Sequence, residues 1–134
     1  MAEDSLTTNV LADKATIWDC LLTFADRPDR YVPGVSDVEI LDRFADGLTR
    51  RSRQGGALVT EDVSIDAENG RIAVVPRDHP GYEGRIALVL SGPDDAPFVT
   101  VDAIWAERNG AAAPDLMTPL QTALMTVKSQ AEDL

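Results

Sequence analysis

A chain of 134 residues is the size of one domain, residues 1–134, and can bury roughly two-thirds of the surface its unfolded form exposes, so it needs no covalent staple. Its 23 acidic and 12 basic residues give a net charge of −11, which repels phosphate backbones and anionic bilayers and argues against nucleic-acid binding and basic-patch membrane docking. Cys20 is the only cysteine, so no intramolecular disulfide can form; the polar start MAEDSLTTN does not read as a secretion signal, no apolar run nears the roughly 20 residues that span a bilayer, and the expected location is cytoplasmic.

Ser5 to Leu11 has strand character. Asp13 then suits an N-cap, and Ile17, Trp18, Leu21, Leu22 and Ala25 recur at helical spacing. Arg27-Pro28 ends that helix, because a residue before proline avoids the α region. A short turn over Pro28 to Tyr31 follows, and Pro33-Gly34 reverses the chain. From Val35 the period changes to two, with Val38 and Ile40 alternating with Asp37, Glu39 and Asp42. Ala45-Asp46-Gly47 predicts a hairpin turn into a polar strand, Leu48 to Gln54. Gly55-Gly56 turns again into Ala57 to Ile65, and Asn69-Gly70 turns into the apolar strand Arg71 to Val75.

Pro76 to Gly84 is rich in breakers and reads as a loop. Arg85 to Leu90 reads as a central strand, and Phe98 to Glu107 alternates again. After a loop over Asn109 to Pro114, the last helix is expected to start between Asp115 and Pro119, capped by Thr118, with Leu116, Leu120, Leu124, Val127 and Ala131 as its apolar stripe. Strands joined by tight turns must pair antiparallel, and the two helices are the only layer that can cover one face. The expected architecture is α+β: a curved antiparallel sheet of about seven strands wrapped around a long C-terminal helix.

Few residues point to chemistry. His79 is the only imidazole, in Arg77-Asp78-His79-Pro80; it is either an acid/base at a cavity mouth, oriented by Asp78 or Glu83, or, more simply, a solvated loop histidine. Alternation puts Arg51 and Arg53 on one face and Arg50 on the other. An inward arginine can grip a ligand carboxylate, or pair with Glu61 or Asp62 across the hairpin. Glu61 and Asp102 are carboxylates that could serve as a base. One histidine and one cysteine leave only an all-carboxylate metal site, so neither metal nor cofactor is expected.

The segment LLTFADRPDRYVPGVSDVEILDRFADGLTRR, with its Tyr31-Val32-Pro33-Gly34 corner, resembles the AtaL-like family of the START-like superfamily, also called Bet v1-like or SRPBCC. The likeness is sharpest over Ile17 to Arg53. It implies a helix-grip fold with an apolar cavity between sheet and long helix, able to take a lipid or polyketide-like molecule. It carries over no catalytic residue. The candidates for contact with such a ligand are Trp18, Phe24, Tyr31, Val38, Ile40, Arg51, Arg53, Val63, Val89, Trp105, Met117, Leu120 and Leu124. The first expectation is a protein that binds a small hydrophobic ligand. The alternatives are a polyketide cyclase or dehydratase using a cavity acid/base, and a protein-interaction module. Monomer and homodimer are both compatible with the exposed edges of an open sheet.

Overall fold

A computed structural model describes residues 2–108 and 116–133. In chain order it comprises strand β1 (Ala2–Asn9), helix α1 (Lys14–Asp26), a 3₁₀ turn (Pro28–Arg30), strands β2 (Val35–Phe44), β3 (Gly47–Gln54), β4 (Ala57–Asp66), β5 (Arg71–Pro76), β6 (Tyr82–Ser91) and β7 (Phe98–Glu107), and helix α2 (Met117–Glu132). The strands form one seven-stranded sheet in the order β1-β7-β6-β5-β4-β3-β2. Every pairing in it is antiparallel, as the tight turns demand. The expected α+β helix-grip architecture is what the chain adopts.

The two helices share the concave face. Asp13 caps α1 by accepting from the Thr16 amide at 2.7 Å. Ile17, Cys20, Leu21, Phe24 and Ala25 face inward from α1, and Leu120, Ala123, Leu124, Val127 and Ala131 from α2. They meet the inward residues of the sheet, among them Leu48, Val63, Ile72, Leu88, Val99 and Val101, in one core. Two contacts fix α2 across the sheet. Lys128 Nζ donates to the Asn9 carbonyl at 2.7 Å, and Glu132 Oε2 accepts from the Leu11 amide at 2.9 Å.

Four local expectations need correction. First, β1 runs over Ala2–Asn9 rather than Ser5 to Leu11, because its ladder with β7 ends at the Asn9–Phe98 pair; Val10 then turns into the core and Leu11 out to solvent. Second, β6 starts at Tyr82, not Arg85. Gly84, which reads as a breaker, lies inside the strand with φ 152°, where a Cβ would stand 2.0 Å from the Ile104 carbonyl oxygen. Third, α2 is capped at Leu116 rather than Thr118, with no side-chain capping bond; Pro119 still falls in the first turn, where no intrahelical donor is required. Fourth, β2 does not alternate cleanly. Its register with β3 shifts between Ser36 and Glu39 and again between Ile40 and Asp42, and Asp37 takes a positive φ of 54°. Each shift inserts an unpaired residue, which bends the strand and lets the edge curl toward the helices. The expected loop from Asn109 to Pro114 lies outside the described residues.

Candidate functional site

The helices do not fill the whole concave face. At one end a cavity of about 430 Å³ remains. Its walls come from the end of α1 (Phe24), the corner after it (Pro28, Val32, Pro33, Gly34, Val35), the β3–β4 hairpin, the β5–β6 connection and the start of α2 (Leu116, Pro119, Leu120). Val32, Pro33 and Gly34 of the Tyr31-Val32-Pro33-Gly34 corner thus contribute backbone and small apolar surface to the cavity wall. Val74 and Ile86 form the apolar floor.

One wall is polar, and β3 explains it. Leu48, Arg50, Ser52 and Gln54 face inward from this strand, whereas Arg51 and Arg53 face out. Arg50 sits directly opposite Glu61 in the β3–β4 register, and Arg50 Nε donates to Glu61 Oε1 at 2.9 Å. Both residues are buried, at 2% and 4% exposure. Arg50 Nη1 donates to the Phe24 and Ala25 carbonyls at 3.2 and 2.7 Å. These belong to the last turn of α1, whose final carbonyls have no intrahelical donor and whose own sequence supplies no basic residue there. The guanidinium carbon also lies 5.6 Å from the centroid of the Phe24 ring, a cation–π contact.

His79 reaches the cavity because its loop is stitched to β4. The Arg77 amide donates to the Thr60 carbonyl at 2.8 Å, and Asp78 Oδ1 accepts from the Thr60 amide at 2.9 Å. Arg77 grips Asp62 with two bonds of 2.8 and 2.7 Å on the outer face. Within the loop, the Gly81 amide donates to His79 Nδ1 at 3.0 Å, which leaves the imidazole proton on Nε2. Burial lowers the His79 pKa below its ordinary value; the Glu61 and Asp78 carboxylates pull the other way and Arg108 adds to the lowering. The ring stands 4.3 Å from that of Tyr82, tilted by 49°. Tyr82 is itself buried, and that burial, with the Glu61 charge behind it, pushes its phenol well above the usual tyrosine range. At neutral pH the wall therefore presents an ion pair, a neutral imidazole and a neutral phenol.

The expected site residues are placed as follows. Phe24 and Leu120 line the cavity. Tyr31 backs it: the ring meets Phe24 edge-on at 5.8 Å, and its hydroxyl donates to Gln130 Oε1 at 2.6 Å. Val63, Trp105 and Leu124 are core. Trp18, Ile40 and Met117 are half-buried against that core, and Val38 is half-buried beside the β2 bulge. Val89, half-buried, alternates with inward Leu88 and so faces outward. Arg51 and Arg53 are on the outer face, paired with Glu39 at 2.9 Å and Asp37 at 3.4 Å. The alternation of the arginines is as expected, but the opposite face is the inner one.

The pairing of Arg50 with Glu61 is one of the two roles weighed for an inward arginine. His79 departs from its simpler reading, since it is part-buried at the cavity instead of solvated. Asp78 anchors the His79 loop to Thr60, while the Gly81 amide is what bonds the ring, and Asp102 lies exposed on the outer face. Sequence reasoning left out Tyr82 altogether. One signal could have found the polar wall: Leu48 opposite Val63 marks the inner face, and Arg50 opposite Glu61 is the next pair on that face. Among the described residues, no cluster of three or more His, Cys, Asp or Glu side chains could hold a metal.

The profile of a family described as AtaL, acetylaranotin biosynthesis cluster protein L, matches residues 4–109. The chain belongs to the AtaL family. Among solved structures this AtaL-family chain is similar to the Zhui aromatase/cyclase from Streptomyces sp. R1128, at 17% identity over 98% of this chain and 93% of that one, with a TM-score of 0.80. It is also similar to a START superfamily protein from Mycobacterium smegmatis, at 16% identity over 98% and 94% with a TM-score of 0.68, and to Ara h 8.0201, at 12% over 99% of each with a TM-score of 0.75. At these identities the likeness shows the fold alone. No curated protein sequence matches the chain. No helix among the described residues is long and apolar enough to cross a membrane.

Proposed function

We propose that this AtaL-family chain binds a hydrophobic, polyketide-like small molecule between its sheet and the start of α2. The observation that carries this reading is a cavity with apolar walls that ends in a polar wall of buried Arg50, Glu61 and Tyr82 and part-buried His79. Apolar surface supplies affinity and a few fixed polar groups supply orientation, the usual division of labour in a ligand pocket. The volume, about 430 Å³, is in the lower part of the range for such pockets and favours a compact ring system over a long lipid chain. The names fit this reading: the family is named for a biosynthesis cluster, and one structural neighbour is an aromatase/cyclase.

The test is a thermal melt with 2-(hydroxymethyl)anthraquinone as a neutral aromatic probe. A ligand at about 100 times its Kd stabilises the folded state by roughly 2.7 kcal/mol. In a domain of this size that raises Tm by roughly 10 °C. No rise at the probe's solubility limit would remove the reading. Tryptophan quenching is a weaker reporter, because neither Trp18 nor Trp105 lines the cavity.

A second reading, cyclase or dehydratase chemistry, is favoured by one observation: Glu61, His79 and Tyr82 meet at the same cavity wall. In it Glu61 takes a proton from the methylene next to a ketone, while the Tyr82 hydroxyl and His79 Nε2–H hydrogen-bond the oxygen that gains charge. Glu61 is held by Arg50 and His79 Nδ1 already accepts a bond, so neither is free as a base in the resting site, and simple binding remains the first reading. A synthetic poly-β-ketone thioester decides between them. Catalysis predicts aromatic product at a rate that Tyr82→Phe and His79→Ala each lower by 10²-fold or more; a rate equal to the buffer control leaves binding alone.

A further inference from the structure

The polar wall of the cavity contains charges, but they balance. Arg50 supplies one positive charge and Glu61 one negative charge, joined at 2.9 Å with both side chains buried. The other bonds of Arg50 run to the Phe24 and Ala25 carbonyls, which are dipoles without formal charge. His79 and Tyr82 add a neutral N–H and a neutral O–H. The guanidinium is therefore already met by a carboxylate belonging to the protein. A carboxylate arriving on a ligand would shed its water next to Glu61, with a single cation between two anions. Opposite charges in a buried site stabilise only when they match in number, and an unmatched one is costly. The net charge of −11 opposes an anion from a distance as well. A ketone, phenol or alcohol meets none of these penalties and can use both the donors and the free lone pairs of the wall.

We propose that Glu61 sets the charge selectivity of this cavity: by neutralising Arg50 it makes the site take an uncharged aromatic molecule bearing carbonyl or hydroxyl groups and reject the matching carboxylate. This rests on the binding reading above and narrows its ligand class. Of the two roles open to an inward arginine, it takes pairing across the hairpin in place of capture of a ligand acid. The arginine is present, but a residue of the adjacent strand occupies it.

Two probes of nearly equal shape separate the possibilities: 2-(hydroxymethyl)anthraquinone, which is neutral, and anthraquinone-2-carboxylate. Titration calorimetry at pH 7.5 on the wild-type chain is expected to give a Kd for the neutral probe at least about tenfold lower than for the carboxylate. In Glu61→Gln, which keeps an acceptor oxygen facing Arg50 but removes the charge, that ratio is expected to shrink at least about tenfold or invert. A wild-type chain that binds the carboxylate as tightly as the alcohol overturns the proposal while leaving the binding reading intact. A folded Glu61→Gln variant with an unchanged ratio overturns the role of Glu61. Failure of both probes removes the binding reading itself. Should Glu61→Gln not fold, the wild-type ratio still decides whether the cavity excludes the acid.

Discussion

Replacing Glu61 by alanine is expected to destabilise the fold by about 3–5 kcal/mol, the cost of stranding one member of a buried ion pair. The effect comes through Arg50, which would keep its charge at 2% exposure with two backbone carbonyls and the Phe24 ring as its remaining partners. Arg50→Ala is expected to cost a similar amount. It strands Glu61 and also releases the Phe24 and Ala25 carbonyls at the end of α1. The informative variant is the double one. Arg50→Met with Glu61→Leu removes both charges and refills the space, so it should recover to within about 2 kcal/mol of wild type despite the lost helix-end bonds. Urea denaturation measures all three, with stability read from the midpoint at constant m. Single substitutions costing under about 1 kcal/mol each, the size of an exposed pair, would mean that water reaches the pair and that the polar wall is not the dry surface described.

Gly84→Ala is the second large effect, at about 3 kcal/mol. The cause is backbone geometry. Gly84 has φ 152° inside β6, and a Cβ would lie 2.0 Å from the Ile104 oxygen and 2.7 Å from the Trp105 Cα on the neighbouring strand. Those neighbours are backbone and cannot rotate away, so the two strands must part where β6 places Tyr82 at the cavity wall. Gly34→Ala provides the comparison. Its φ is 85° but nothing stands within 4 Å of its Cβ position, so it should lose only the conformational cost, about 1 kcal/mol. Equal losses at the two positions would show that steric overlap across β6 and β7 is not what holds the glycine in place.

Most of the fold is legible in the sequence because it is locally encoded. The Asp13 cap, the proline after Arg27, the Asp46-Gly47 and Gly55-Gly56 turns and the period-two patterns are signals within a few residues of one another. The site is less legible because it is assembled from distant segments. Which face of β3 is the inner one depends on the helix layer, so correct alternation still led to Arg51 and Arg53 instead of Arg50. His79 is brought to the cavity by the Asp78 side chain bonding Thr60, 18 residues earlier, a contact that no local pattern announces. Gly84 looks like a break because glycine marks turns more often than close strand approach, and Tyr82 is hidden with it. The large aromatics Trp18 and Trp105 were candidates by size, yet size marks core as readily as cavity.

The measurement that bears most directly on the cavity as binding site is an amide ¹H–¹⁵N chemical-shift map of the chain titrated with 2-(hydroxymethyl)anthraquinone. Binding in the cavity is expected to give saturable shifts clustered on Phe24, Val35, Gln54, Glu61, Tyr82, Ile86 and Leu120, with little change at Arg51, Arg53 and Val89 on the outer face. Shifts confined to the outer face, or no shifts at probe concentrations that saturate the solution, would contradict it.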